Sequence, residues 1–164
     1  RGFFARFFCS REYEETGLEA TFQQVNTSVS RDIGTLRGLH YQVPPSAEVK
    51  VVRVIHGALW DVIVDVRSNS ATFGRSYGAR LDADNRTMMY VPKGFAHGFV
   101  TLEPDTEVLY LVSTPYSPIH ENGLRWDDPA LAIEWPITPS VISDKDKSWQ
   151  PLSVSHHGVI ISEE

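Results

Sequence analysis

The stretch Leu59-Trp60-Asp61-Val62-Ile63-Val64-Asp65-Val66-Arg67 decides the fold class. Apolar residues occupy every second position on one side of it, namely Trp60, Val62, Val64 and Val66. This alternation has the period of a β-strand with one buried face. Asp61 and Asp65 alternate with these core positions, so we expect them to make structural hydrogen bonds or ion pairs.

Similar short runs lie on both sides of this stretch. They are residues 21–30, 34–42, 49–55, 76–82, 87–91, 97–102 and 107–112, and turn signals separate them. Residues 10–20 indicate a short helix or a solvated loop, residues 114–129 a loop, and residues 130–135 a short strand. Many short strands with little helical periodicity predict an all-β sandwich or barrel. A length of 164 residues predicts one domain, residues 1–164.

Composition narrows the class of partner and the compartment. A net charge of −6 argues against nucleic-acid binding as the main role. Cys9 is the single cysteine, which excludes an internal disulfide framework and suits a reducing cytoplasm. No run has the length of a membrane span and no signal peptide is visible, so we expect a cytoplasmic protein without membrane contact. The chain opens on Arg1, and we expect its N-terminus to be trimmed.

The first candidate site is Gly34-Thr35-Leu36-Arg37-Gly38-Leu39-His40-Tyr41-Gln42. Glycine within a strand lets the backbone approach a ligand or another chain closely. Arg37 offers a planar fork suited to phosphate, and His40 is a side chain that moves protons near neutral pH. Alone, His40 also fits a structural histidine. The stretch is therefore a candidate site whose function depends on the other motifs of the chain.

A second motif, Pro92-x-Gly94-x-x-His97, resembles the second motif of the cupin superfamily, whose fold is a jelly roll. Many cupins bind a metal through this histidine, an earlier His-x-His and a glutamate. In this chain Gln42 stands where the second histidine would be, and no glutamate completes the set. Glutamine is a poor ligand for such metals. We therefore expect the cupin fold without the cupin metal.

Six motifs follow each other along the chain. They are residues 34–42, 94–99, 107–110, 115–118, 123–129 and 143–146. In this order they resemble the dTDP-4-dehydrorhamnose 3,5-epimerase family, from Arg1 to about Asp146. The resemblance implies a cupin-like jelly roll with few short helices. It also implies a homodimer without a cofactor that inverts C3, C5 or both in a dTDP-4-keto-6-deoxyhexose, through an enolate.

The resemblance also implies a role for each candidate residue. His40 matches the general base and Asp146 the carboxylate that pairs with it. Lys50 matches the lysine that holds the enolate oxygen, and Tyr110 matches the acid on the opposite face. The remaining positions match residues that bind substrate, and they are Arg1, Phe4, Gln24, Asn26, Arg37, Gln42, His97 and Tyr116.

One position departs from the family pattern. The family commonly carries Arg-Gly-x-Phe-x-Glu at this end, and Arg6 stands in place of the glutamate. The change leaves open which nucleotide and which sugar are accepted.

Two other functions also fit the same residues: a ketoisomerase that moves the carbonyl of a related nucleotide sugar, and a non-catalytic cupin that binds a nucleotide or sugar. A base, an enolate holder and an acid in one chain argue against the binder, which needs none of them. The ketoisomerase needs a similar base and enol, and product analysis separates it from the epimerase, which is the leading hypothesis.

Overall fold

The computed structural model describes residues 1–161, and two facing β-sheets contain most of its residues in helices and strands. The strands are β1 (Gln24–Ser30), β2 (Thr35–Gln42), β3 (Lys50–His56), β4 (Ala58–Asp65), β5 (Ser76–Asp82), β6 (Met88–Val91), β7 (Phe95–Thr101), β8 (Thr106–Val112), β9 (Glu121–Gly123) and β10 (Val141–Ile142). The short helices are α1 (Ser10–Glu15), α2 (Asp144–Ser148) and α3 (Val154–His157).

The smaller sheet has the strand order β1-β8-β3-β6, and the larger has the order β10-β2-β7-β4-β5, with β9 paired to β2. All pairs are antiparallel except β10 with β2. The connections repeatedly cross from one sheet to the other. The predicted all-β, cupin-like jelly roll with few short helices is confirmed.

Both faces of β4 are buried, because the larger sheet is covered on both sides. Leu59 packs with Val52 and Val54 of the smaller sheet in the core between the sheets. Val62 and Val64 face the other way and pack with residues of the C-terminal segment, among them Leu124, Leu131 and Val159. The alternating apolar residues that the sequence analysis identified in β4 therefore pack against the C-terminal segment. The other face of β4, which includes Asp61, is turned toward the smaller sheet.

The predicted strand at residues 130–135 is wrong. Residues Pro129–Leu131 form a 3-10 turn instead, and Ala132 follows it with a φ of 46°. The Asp128 carboxylate accepts a hydrogen bond from the Ala130 backbone N–H at 2.9 Å, so it caps this turn. A capping aspartate followed by proline favours the start of a helical turn over a strand. Within residues 1–161, no helix has the length and hydropathy needed to cross a membrane.

Candidate active site

A β-bulge in β2 shapes one wall of the site. Arg37 pairs with Phe99 and His40 pairs with His97, so three steps along β2 match two steps along β7. In a regular strand, residues three apart point to opposite faces. The extra residue reverses this, and Arg37 and His40 both line one cavity of about 550 Å³ between the sheets.

Gly38 makes the bulge possible. Its φ of +123° is disfavoured for other residues, and a β carbon there would lie 2.5 Å from the Gly98 Cα atom. The sequence predicted a close approach to a ligand or another chain at this glycine. The structure shows that the close neighbour is the backbone of β7 in the same chain.

His40 and Asp146 form a hydrogen-bonded pair across 106 positions of sequence. His40 Nε2 lies 2.5 Å from Asp146 Oδ1. A carboxylate can only accept here, so the ring proton is on Nε2. His40 Nδ1 makes no hydrogen bond within residues 1–161 and is the nitrogen left for the cavity. This geometry suits a base whose positive charge is stabilised after it takes a proton.

Asp146 reaches this place because the C-terminal segment docks beside β2. In the parallel pairing of β10 with β2, Val141 lies opposite Thr35. Ser143 then caps α2, accepting a hydrogen bond from the Asp146 backbone N–H at 3.1 Å. Burial alone raises the pKa of Asp146, but the hydrogen bonds from His40 and Ser143 outweigh it and hold the pKa below its usual range.

The opposite wall of the cavity comes from the smaller sheet. Lys50 on β3 and Tyr110 on β8 both line it. Lys50 Nζ lies 3.0 Å from Glu48 Oε1, and both side chains are largely buried. The sequence analysis missed Glu48, although its position two residues before Lys50 places both on one side of an extended chain. His40 and Tyr110 therefore belong to opposing sheets.

His97 lies on the same wall as His40 and has a carboxylate of its own. His97 Nε2 lies 2.7 Å from Asp61 Oδ1, and the Asp61 side chain is 0% exposed. The expectation that Asp61 has a structural hydrogen bond holds, but its partner is a cavity residue. Asp65 accepts hydrogen bonds from Arg67, Ser70 and Thr72 in the turn after β4, as expected of a structural aspartate.

A second cavity of about 370 Å³ continues from the first and shares His40, Lys50 and Tyr110 with it. Four of the predicted binding residues line it, namely Gln24, Asn26, Gln42 and Tyr116. The Gln42 amide is held by the protein itself, because Nε2 donates to the Ser46 carbonyl and Oε1 accepts from the Ser117 N–H. Gln42 thus fixes the loop beside the cavity.

Glu121 and Lys145 were not singled out in the sequence, yet both lie at the cavities. Glu121 Oε2 accepts hydrogen bonds from Tyr116 at 2.8 Å and from Lys145 at 2.6 Å. Burial raises the pKa of Glu121, but the bonds from Lys145 and Tyr116 outweigh it and lower the pKa overall. The hydrogen bond to Glu121 raises the pKa of the Tyr116 phenol. The network connects the two cavities, because Lys145 lines the larger one and Glu121 and Tyr116 line the smaller one.

Arg1 and Phe4 lie apart from these residues. Both are exposed, Phe4 at 94%, and neither lines the cavities. Arg6, the departure from the family pattern, pairs with Glu12 on the surface of the N-terminal segment. Among the residues described, no three His, Cys, Asp or Glu side chains come together as a metal site would require.

Comparison with known sequences gives one family. A sequence model of the dTDP-4-dehydrorhamnose 3,5-epimerase family matches residues 1–153. The dTDP-4-dehydrorhamnose 3,5-epimerase of Sinorhizobium fredii is 47% identical over 153 residues, which cover 93% of this chain and 78% of that protein. The enzyme of the same name from Methanothermobacter thermautotrophicus is 43% identical, and the match covers 93% of this chain and 83% of that protein.

Solved structures agree with the sequences. The Bacillus anthracis dTDP-4-dehydrorhamnose 3,5-epimerase, crystallised with TDP and PPi, superposes with a TM-score of 0.89 at 46% identity, covering 92% of this chain and 86% of that one. A Legionella pneumophila epimerase in complex with dTDP-4-keto-L-rhamnose gives a TM-score of 0.89 at 37% identity, covering 98% and 87%. The chain belongs to the dTDP-4-dehydrorhamnose 3,5-epimerase family.

Proposed function

We propose that this epimerase binds a dTDP-4-keto-6-deoxyhexose and inverts C3, C5 or both by removing a proton from one face and returning one to the other. The observation that carries this proposal is the placement of His40 and Tyr110 on opposing sheets across one cavity. Inversion needs a base and an acid on opposite faces of the carbon, because a single group would return the proton where it took it.

The ketone makes the proton removable, and Lys50 serves that step. When His40 Nδ1 takes the proton, the electron pair moves toward the carbonyl and negative charge develops on its oxygen. The Lys50 ammonium, held by Glu48, is on the cavity wall to stabilise that charge. Tyr110 then donates its phenol proton to the carbon from the other face.

The positive charges around the larger cavity support a diphosphate ligand, although the net charge of the chain is negative. Arg37, Lys50 and Lys145 line the larger cavity, where Asp146 is the only carboxylate among the residues described. Several cations around one cavity attract an anionic ligand even when the whole chain is acidic. We assign the larger cavity to the sugar and its phosphates, and the smaller one, with Tyr116, Gln24 and Asn26, to the nucleoside. The Legionella relative, which was crystallised with a dTDP-keto sugar, supports this ligand class.

The proposal includes a homodimer in the cytoplasm. Val25 and Val29 are exposed on the edge strand β1, and the apolar side chains of Phe3 and Phe4 are exposed nearby in sequence. An uncovered strand edge with apolar side chains favours pairing with a second copy. Arg1 and Phe4 would then bind the nucleotide end of the partner's cavity, since they do not line their own. Cys9, an unpaired cysteine, fits the reducing compartment.

The test is His40→Ala with dTDP-4-keto-6-deoxyglucose in deuterated water. We expect the wild type to replace a carbon-bound proton next to the ketone with deuterium. The variant should lose this exchange at the carbon that His40 serves by at least about a hundredfold, a usual contribution of general base catalysis. Proton NMR measures it. Full exchange at every carbon in His40→Ala would show that another group is the base.

A further inference from the structure

Two loops beside the smaller cavity are joined by the imidazole of His120. One loop, residues 43–49, connects β2 to β3, and the other, residues 113–120, connects β8 to β9. The ring nitrogen Nδ1 of His120 lies 2.8 Å from Ser46 Oγ in the first loop and 2.9 Å from Ser117 Oγ in the second. One half-buried side chain therefore links a hydroxyl of each loop.

Tyr116 is the cavity residue that this link holds in place. It lies in the chain between Pro115 and Ser117. Gln42 Nε2 donates a hydrogen bond to the Pro115 carbonyl at 3.3 Å, and the Ser117 N–H donates to Gln42 Oε1 at 2.6 Å. The His120 N–H donates to the Ser117 carbonyl at 3.0 Å, in addition to the contact between the two side chains. The backbone is thus fixed on both sides of Tyr116.

The ring of Tyr116 is available to a ligand. It lines the smaller cavity with 58% of its surface exposed, and its hydroxyl donates to Glu121 Oε2 at 2.8 Å. Nucleic-acid bases stack on aromatic side chains, whatever the identity of the base. A loop that is ordered before the ligand arrives does not have to be ordered by it, which favours binding. Affinity for a nucleoside should therefore depend on how firmly this loop is held.

His120 acts on this cavity indirectly. In the described part of the chain it is not one of the residues that line either cavity. Its carbonyl accepts a hydrogen bond from the Val43 N–H at 2.9 Å, so its backbone also joins the two loops. An unprotonated Nδ1 accepts a hydrogen bond from a serine hydroxyl. Removal of the ring would leave the Ser46 and Ser117 hydroxyls without this shared partner.

We propose that His120 is a positioning residue for the nucleoside end of the substrate. By joining the loop of residues 43–49 to the loop of residues 113–120, it holds Tyr116 where the ring can stack on the pyrimidine base. This inference rests on the proposed function and deepens it. It assigns part of the nucleotide affinity to a residue that lines neither cavity.

The kinetics of His120→Ala separate this role from a part in proton transfer. The proton-transfer groups His40, Lys50 and Tyr110 lie on strands and not in the two loops, so kcat should stay within about twofold of the wild type. The KM for dTDP-4-keto-6-deoxyglucose and the Kd for dTDP should both rise about tenfold, within the range that one stacked base contributes. Steady-state kinetics and isothermal titration calorimetry measure these values.

Two further variants accompany this measurement. His120→Asn places a side-chain amide near the position of the imidazole Nδ1, and should recover most of the affinity for dTDP. His56→Ala removes an exposed histidine at the end of β3, whose Nδ1 contacts the Asp105 carbonyl at 2.9 Å. It is the matched control and should leave the Kd within about twofold of the wild type.

A double-mutant cycle tests whether His120 acts through Tyr116. Residues that act through one another give effects on binding that do not add. His120→Ala should weaken dTDP binding about tenfold when Tyr116 is present, and by less than about twofold in a Tyr116→Ala background. Loss by the same factor in both backgrounds would show that His120 acts independently of Tyr116.

Other outcomes also overturn the inference. A His120→Ala variant that binds dTDP as tightly as the wild type, or that loses kcat at an unchanged Kd, would contradict it. If His120→Ala fails to fold, Ser117→Ala removes the side-chain contact from the other partner and replaces it in both tests. A wild type that does not bind dTDP would instead refute the proposed function, so the two failures are distinguishable.

Discussion

The position of one proton decides what His40 can do. Its Nε2–H donates to Asp146, which leaves Nδ1 as the nitrogen that can accept a proton in the cavity. The carboxylate fixes this tautomer and stabilises the charge that follows. The sequence predicted the pair by resemblance, but the tautomer depends on which ring nitrogen meets the carboxylate, and only the folded structure shows this.

Asp146→Asn tests that dependence. An amide can donate to Nε2 and stabilise the tautomer whose proton lies on Nδ1, so the base would be blocked. We expect kcat to fall by about a thousandfold, within the range for losing the orienting carboxylate of such pairs. Steady-state kinetics with the keto sugar measures it.

Asp144→Asn is the matched control for this prediction. It lies two residues away on the same helix, but its side chain is fully exposed and its nearest cation is Lys147 at 3.8 Å. Its kcat should stay within about twofold of the wild type, since exposed ion pairs contribute little. Similar losses in both variants would mean that the helix, and not the carboxylate, matters.

Residues that the sequence did not reveal share one physical feature. Glu48 contacts Lys50, and Asp61 contacts His97. Neither carboxylate belongs to a recognisable catalytic motif. Their roles depend on strand register and on which face is turned inward. In the sequence, Asp61 looked like a structural aspartate between core positions. Alternation shows on which side of a strand a residue lies, but not which side chain it contacts there.

At the level of elements, the β2 bulge is what brings Arg37 and His40 to one cavity. Glycine in a strand is a sequence signal for a bulge or a close approach, and Gly38 carried that signal. What the sequence could not specify was the neighbour. The partner turned out to be Gly98 of β7, sixty positions away along the chain.

Gly38→Ala should therefore disrupt both stability and activity. The β carbon would meet the β7 backbone at 2.5 Å from Gly98 Cα, and the positive φ adds strain. We expect unfolding free energy to fall by about 3 kcal/mol, the sum of typical strain and overpacking costs, with a large loss of kcat. Urea unfolding and steady-state kinetics are the measurements.

Gly17→Ala separates strain from crowding. Gly17 also has a positive φ, of +72°, but a β carbon there has nothing within 4 Å. It should cost about 1 kcal/mol, from strain alone, without loss of activity. If the two variants lose equal stability, close contact between β2 and β7 is not what requires glycine at position 38.

The turn after β4 depends on an ionised carboxylate. Burial by itself raises the pKa of Asp65, but hydrogen bonds from Arg67, Ser70 and Thr72 outweigh it and hold the pKa well below its usual range. A depressed folded-state pKa contributes stability above the unfolded value of about 3.9, and this is lost as pH falls toward the folded value.

Asp65→Asn should thus be most costly at neutral pH. We expect a loss of about 3 kcal/mol in unfolding free energy at pH 7, since one partner of a buried ion pair is removed. The difference from the wild type should shrink as the pH is lowered below about 4. Urea titrations across this range measure it, and a difference that does not change with pH would argue against ionised Asp65 as the source of stability.

The C-terminal elements show the limit of sequence interpretation at this scale. The sequence analysis predicted no helix or strand after residue 135, whereas α2 and α3 form there and β10 pairs with β2 through two residues. Such short elements have no periodicity to detect. Their position comes from tertiary packing, and it is this packing that brings Asp146 to His40.

For the whole molecule, the proposed dimer explains why two predicted substrate residues do not line the cavities. Val25 and Val29 are 62% and 41% exposed on the edge strand β1. Val25→Lys combined with Val29→Lys places charges on that surface and should convert a dimer, of about twice the 18.5 kDa chain mass, to monomers. Light scattering after gel filtration measures the mass.

Activity should follow the change in mass. If Arg1 and Phe4 bind nucleotide in the partner's cavity, the monomer should show a raised KM for the dTDP-sugar. Tyr77→Lys, on an exposed aromatic of β5 in the other sheet, is the control and should leave both mass and KM unchanged. A wild type that is monomeric and fully active would contradict the proposed role of the partner.

The measurement that tests the central claim most directly is proton NMR of Tyr110→Phe with dTDP-4-keto-6-deoxyglucose in deuterated water. His40 and Tyr110 lie on opposing sheets, so removal of the acid should leave the base able to take and return a proton on its own face. We expect deuterium to enter recovered substrate with its configuration retained, and inverted product to fall by at least about a hundredfold. Inverted product formed at the wild-type rate would contradict the assignment of base and acid to the two sheets.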